Sequence, residues 1–322
     1  MRAFRLTKRA LDAGDSAVIP SSFLRLRLFP LGRRSPVRPS ASNASRWAAL
    51  RAAVVFNHIY SSQHRRISLW RKSVKNYQPV MSFGEDVAAI YDETSQRGDE
   101  ASTVAFLEQL AKGGPALELA IGTGRIALPL ATRGVKVDGI DISPAMVTKL
   151  RGKSGGENIE VAVGNFADVA VSGTYRLIYV VFNTLFNLPT QDEQVRCFEN
   201  VASHLTEDGL FVVEGGVPAE FYHLRNNQYV DAEAIGIDNV RLDVARFDPV
   251  KQLLEETHVT LSSSGVQLHP IVTRYAWPSE LDLMARIAGL QLQERWSSWD
   301  REPFLAASGN CVSVYARKAK PR

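Results

Sequence analysis

The chain has only two cysteines in 322 residues, Cys197 and Cys311. Two thiols make neither a disulfide scaffold nor, by themselves, a zinc site, and they fit a reducing compartment. No uninterrupted apolar run approaches ~18 residues, so no transmembrane helix is expected. Glycine (22) and proline (15) are too few for a collagen-like chain, and a hydrophobic share of 45% is too high for global disorder. The histidines, His58, His64, His204, His223, His258 and His269, are scattered and show no ligand spacing, so no metal centre is expected.

Acidic residues are nearly missing from one end. Residues 1–80 hold 16 of the 38 Lys and Arg but only Asp12 and Asp15 of the 34 acids. The remaining residues are therefore acidic, with 32 acids against 22 bases, which argues against a broad phosphate-binding surface there. Three readings of the leader compete. It is a poorly ordered extension without function of its own, with Met81, where globular patterning begins, as a possible true start. It is a mitochondrial-type targeting peptide, rich in Arg and Ser and poor in acids. Or it is a nucleic-acid arm, judged from charge alone. The first reading carries a cytoplasmic location, the second a mitochondrial one. A short helix is suggested over 46–60.

From residue 81 onward strands and helices alternate. Helices are expected over 83–91, 99–112, 125–133, 144 onward, 191–205 and 279–288. Strands are expected at 116–121, 135–140, 159–163, 177–182 and 209–214, with closing strands at 291–295 and 311–315. Such alternation means an α/β domain with a parallel sheet covered on both faces. The strand at 177–182 is wholly apolar and reads as central. Between about 217 and 275 the period changes to two around 240–244, 257–261 and 266–268, with turns at Asp248-Pro249 and Ser263-Ser264-Gly265. That pattern predicts an antiparallel meander inserted as a cap over the ligand edge.

The chemical signal lies after the first strand, in Glu118-Leu119-Ala120-Ile121-Gly122-Thr123-Gly124-Arg125. Small residues at 120, 122 and 124 let the backbone approach a ligand, and the next helix presents free N–H groups. Asp141 follows Gly122 by 19 residues and ends the second strand, where a carboxylate can accept both hydroxyls of a ribose. Loop and acid together indicate a cofactor containing adenosine. A dinucleotide fingerprint looks similar. Glu118 discriminates, because it stands where it can hold an ammonium group that a dinucleotide lacks. Asn165 and Phe166, after the third strand, suit an adenine. Arg125 reads as a solvated helix residue.

These residues resemble class I S-adenosylmethionine-dependent methyltransferases, whose first motif runs roughly acid-x-Gly-x-Gly-x-Gly. The phrases Tyr179 to Asn187 and Tyr275-Ala276-Trp277-Pro278 resemble bacterial small-molecule members, including those acting on amino sugars and other secondary metabolites. The resemblance implies a Rossmann-like sheet of seven mostly parallel strands with a reversed last strand, an inserted β-lid, and S-adenosylmethionine as cofactor. It implies that Glu118 orients the methionine amino group and that Ala120, Gly122 and Gly124 form the turn beneath it. Asp141 would bind the ribose, with Ile142 and Met146 against the adenine and Asn165 and Phe166 framing it. Phe182 and Asn183 would border the sulfonium and Tyr91 would pack over the cofactor. Ala120 replaces the usual first glycine, and its methyl is tolerable if φ stays negative.

Methyl transfer by direct displacement asks mainly for alignment and exclusion of water. No catalytic residue is assigned. Glu214, Tyr222 and His223 are candidates for removing a proton from a small-molecule nitrogen or oxygen acceptor. Two alternatives stay open: an NAD(P)-dependent oxidoreductase, and a nucleic-acid or protein methyltransferase using the leader as an arm. The sequence leaves the oligomeric state unassigned.

Overall fold

Residue 77 and residues 79–318 are described by the structure, a computed structural model. The expectations for the leader, including the helix at 46–60, lie outside the described residues.

A single turn of 3-10 helix, Pro79–Phe83, precedes α1 (Glu85–Thr94) and α2 (Glu100–Ala111). Next come β1 (Ala116–Leu119), α3 (Ala127–Thr132), β2 (Val137–Asp141) and α4 (Pro144–Arg151). Then follow β3 (Glu160–Val163), β4 (Tyr175–Val180), α5 (Gln191–His204) and β5 (Leu205–Gly216). Local chemistry marks the helix starts. Ser143 accepts the N–H of Met146 at 3.2 Å, with Pro144 as the first helical residue of α4. Thr190 caps α5 by accepting the N–H of Glu193, and its hydroxyl donates back to the Glu193 carboxylate at 2.7 Å.

The inserted segment holds β6 (Gln228–Ile235), β7 (Asn239–Asp248), β8 (Leu253–Ser262) and β9 (Gly265–Arg274). The chain closes with α6 (Pro278–Ile287), β10 (Leu290–Trp296) and β11 (Asn310–Arg317). Two sheets result. The larger has seven strands in the order β10-β11-β5-β4-β1-β2-β3. Its first five strands in sequence pair in parallel, and β11 runs antiparallel to both β5 and β10. The reversed last strand and the central place of β4 both match the sequence reading.

The apolar run of β4 is explained by its two covered faces. Ile178 and Val180 join Phe198 and Val201 of α5 and Met284 of α6 in one core cluster. Leu177 and Tyr179 point to the other face and join Phe106 and Leu107 of α2, Leu130 of α3 and Leu150 of α4.

The second sheet is an antiparallel meander of four strands, β6-β7-β8-β9. The sequence showed three of these strands and missed β6. At its base Phe221, Tyr222, Phe247 and Tyr275 stack with ring centroids 5.2 to 5.8 Å apart in their closer pairs, joining it to the body. Its last residue, Arg274, is buried. The guanidinium donates to Gln194 of α5 at 2.7 Å and to Glu280 of α6 at 2.6 Å. Among the described residues no helix is long and apolar enough to cross a membrane.

Candidate functional site

The loop after β1 turns in the left-handed region three times, at Ala120 (φ 55°), Gly122 (φ 57°) and Gly124 (φ 80°). The expectation of a negative φ at Ala120 is therefore corrected. The turn keeps the hand that glycine would adopt freely, and the alanine carries the strain of an L residue there, about 1–2 kcal/mol. Gly124 has no such latitude, because a Cβ built on it would collide with Leu150 of α4.

Asp141 ends β2 and clamps this loop. Its Oδ2 accepts the Gly122 N–H at 2.7 Å and its Oδ1 accepts the Ser143 N–H at 2.8 Å. Each oxygen keeps a second lone pair for a ligand hydroxyl. Burial pushes the Asp141 carboxyl upward against these bonds.

Glu118 sits on the β1 face shared with Ala116, and register sets it beside Tyr179 of β4. The Tyr179 hydroxyl donates to Glu118 Oε2 at 3.0 Å. The glutamate is 3% exposed. Burial pushes its carboxyl up to about 8, with Tyr179 and Arg125 opposing and Asp141 adding to the rise. A carboxylate this buried is stabilised by a cation brought to it.

Tyr91, Glu118, Ala120, Gly122, Arg125 and Phe182 line one cleft of about 30 Å³. Arg125 is not a solvated helix residue. It precedes α3, lies over the Phe182 ring at 3.2 Å from the centroid, and donates to the Ser95 carbonyl. Its Nε is buried without a hydrogen-bond partner. The α1 helix is strapped across this edge by polar bonds. Asp92 accepts the Thr123 hydroxyl at 2.5 Å and pairs with Lys153 at 2.8 Å.

Phe182 and Asn183 follow β4 with φ of 61° and 60°, two strained residues in succession. Bonds to β5 hold them there. The Phe182 N–H donates to Glu214 Oε2 at 2.7 Å, and Asn183 Oδ1 accepts the Gly216 N–H. Glu214 is 1% exposed, and its Oε1 takes Arg97 at 2.7 Å and Asn310 at 3.3 Å. Both its oxygens are engaged in bracing this corner. The Tyr222 hydroxyl lies 3.1 Å from that of Tyr275, at the aromatic base of the inserted sheet, and His223 is exposed on the same turn.

Toward the β2 and β3 ends, Ile142 is half-buried and Met146 is buried in the first turn of α4. Asn165 Oδ1 accepts the Ala167 N–H at 2.9 Å, and Phe166 is buried in the core cluster that holds Ile140. Tyr179, Thr123, Arg97 and Arg125 were missed as site residues. Tyr179 left one signal, a lone hydroxyl in the otherwise apolar run 177–182.

Comparison with known proteins fits this geometry. The family described as Methyltransferase domain matches residues 116–209. The chain is similar to the CcbJ methyltransferase of Streptomyces caelestis. Identity is 36% and the TM-score 0.71, over 76% of this chain and 100% of that one. It is 25% identical to the cypemycin N-terminal methyltransferase of a Streptomyces species, over 71% of this chain and 98% of the relative. A methyltransferase structure from Clostridium acetobutylicum shares the fold at 15% identity and a TM-score of 0.63, covering 73% of this chain and 98% of that one.

Proposed function

Since the chain belongs to the class I S-adenosylmethionine-dependent methyltransferases of bacterial small-molecule type, we propose that it methylates an amine nitrogen of a small molecule by direct displacement. The observation that carries the reading is the clamp of Asp141 on the Gly122 N–H, with the buried Glu118 on the strand that leads into the same loop.

The residues fit S-adenosylmethionine. Glu118 is a buried carboxylate placed for an ammonium, the left-handed turn at Ala120, Gly122 and Gly124 opens the backbone to the methionine chain, and Asp141 retains lone pairs for two ribose hydroxyls. Arg125, whose buried Nε lacks a hydrogen-bond partner, is placed to receive a carboxylate once it leaves the Phe182 ring. Ile142, Met146, Asn165 and Phe166 would hold the base, and Tyr91 would cover the cleft from α1. The cofactor supplies an activated methyl on a sulfonium. The cleft of about 30 Å³ is smaller than the cofactor, so Arg125 must leave the Phe182 ring when the cofactor binds. Phe182 and Asn183, locked by Glu214 and Gly216, then form a fixed wall that aligns the nucleophile and excludes water.

An amine is favoured as the acceptor because it loses its proton without a strong base. Glu214 is committed to Phe182, Arg97 and Asn310. The name of the cypemycin relative, an N-terminal methyltransferase, agrees. The test is calorimetric titration of the full chain with S-adenosylhomocysteine. Binding is expected, and Asp141→Ala should weaken it by about 1–3 kcal/mol through lost hydrogen bonds to a charged group. A wild-type chain that fails to bind sinks the proposal.

A further inference from the structure

The inserted sheet carries an ionisable cluster that methyl transfer does not use. Register places Asp243 of β7 directly opposite His258 of β8. A bulge in β6 between Ala232 and Ala234 adds Glu233, whose Oε1 lies 3.2 Å from His258 Nδ1. One ligand atom from each of Glu233, Asp243 and His258 lies within 4.8 Å of the others. Two neighbours complete the surroundings. The Tyr229 hydroxyl lies 2.9 Å from Asp243 Oδ2 and 3.3 Å from Glu256 Oε1, and has one proton for the two. Arg241 Nε lies 2.6 Å from Glu233 Oε2.

The second observation concerns unmet hydrogen bonds. Asp243 is 7% exposed, and its Oδ1 has no hydrogen-bond partner. Neither Glu233 Oε2 nor His258 Nδ1 makes an aligned hydrogen bond, despite the close ionic contacts just given. A buried carboxylate oxygen such as Asp243 Oδ1 is rarely left without a partner, and this one lies among two further ligand atoms. Charge points the same way. Three carboxyl groups, of Glu233, Asp243 and Glu256, crowd around the single guanidinium of Arg241, and a bound cation relieves their repulsion.

We propose that Glu233, Asp243 and His258 bind a divalent metal ion, which ties β6, β7 and β8 of the inserted sheet together. One imidazole and two carboxylates suit the borderline Zn²⁺ or the harder Mn²⁺. Tyr229, bonded to Asp243, orients that ligand from outside the metal. The site is separate from the cofactor cleft and does not depend on the methyl-transfer reading.

The experiment uses the full chain after chelator treatment, titrated by calorimetry with Zn²⁺ and, separately, with Mn²⁺. One equivalent per chain is expected, with a weakening of at least about tenfold in each of Asp243→Asn and His258→Ala. Glu118→Gln should bind metal as the wild type does. Cobalt(II) on the wild type gives a readout that needs no variant, visible ligand-field bands that Zn²⁺ abolishes. Zn²⁺ should also protect His258 from diethylpyrocarbonate, read by mass spectrometry. Substoichiometric binding, equal affinity in wild type and the Asp243→Asn/His258→Ala double variant, or unprotected His258 in the wild type would each overturn the proposal.

Discussion

The seven-stranded sheet buries apolar side chains on both faces, whereas the four-stranded sheet divides its faces between aliphatic groups and charge. In β4, residues 177 to 180 are all fully buried. In the inserted sheet, Val240, Leu242 and Val244 lie on the face that carries the exposed Val230, Val266 and Leu268, while Asp243, Glu256 and His258 share the opposite face. The difference teaches where each sheet draws its stability. The body draws on area removed from water, at roughly 25 cal/mol per Å². The insertion relies on its aromatic base, on polar joints, and on the proposed ion.

The polar joint at Arg274 is where this contrast breaks most easily. It bonds the buried Gln194 and the half-buried Gln252 and Glu280 at the root of β9. Arg274→Ala should cost about 3 kcal/mol, the low end for breaking a buried ion pair, because Arg274 is buried while Glu280 is only partly so and keeps its bonds to Gln191 and Gln252. Denaturant unfolding measures the total, and hydrogen exchange should show β7 to β9 opening before β4. A loss below about 1 kcal/mol would mean that the aromatic base alone docks the insertion.

The body offers the opposite case, a single charge set in an apolar layer. The folded-state carboxyl of Glu118 stands near 8 against an unfolded value of 4.5, so between these values the folded chain binds the extra proton. Stability is then full below the unfolded value and falls as pH rises toward 8, at about 1.4 kcal/mol per pH unit. From pH 5 to pH 7 the loss attributable to Glu118 is about 3 kcal/mol, and Glu118→Gln should flatten the curve by that amount while weakening cofactor binding. Cofactor binding at pH 7 should release a proton, seen as a dependence of the calorimetric enthalpy on buffer ionisation. No release, with an unchanged pH curve in the variant, would show that Glu118 is ionised without the cofactor.

How far the sequence could be read follows the same division. Period and punctuation exposed the body. Ser143-Pro144 marked a helix start, Gly122-Thr123-Gly124 a turn, and the apolar run at 177–182 the centre of the sheet. Strand β6 escaped because Gln228–Ile235 carries Asp231 and Glu233, and its bulge breaks the period of two. Groups assembled by register also stayed hidden. Glu118 and Tyr179 are 61 residues apart and become neighbours only when β1 pairs with β4. Glu233, Asp243 and His258 come from three strands, so their grouping could not be read from spacing along the chain. Arg125 looked solvated because a helix start says nothing of a ring arriving from β4.

Ala120 gives the smallest expected effect and the finest comparison, since it alone departs from glycine among the three left-handed residues of the proposed cofactor turn. Its φ of 55° costs an L residue about 1–2 kcal/mol. Ala120→Gly removes that cost but gives back part of it, through a freer unfolded chain and a lost methyl contact with the core. The net gain should be about 0.5–1 kcal/mol, read as a rise of a few degrees in Tm. A fall of that size would show the Ala120 methyl to be worth more as packing than its backbone strain costs. The loop would then be held by its side chain, as the inserted sheet is, and not by its turn.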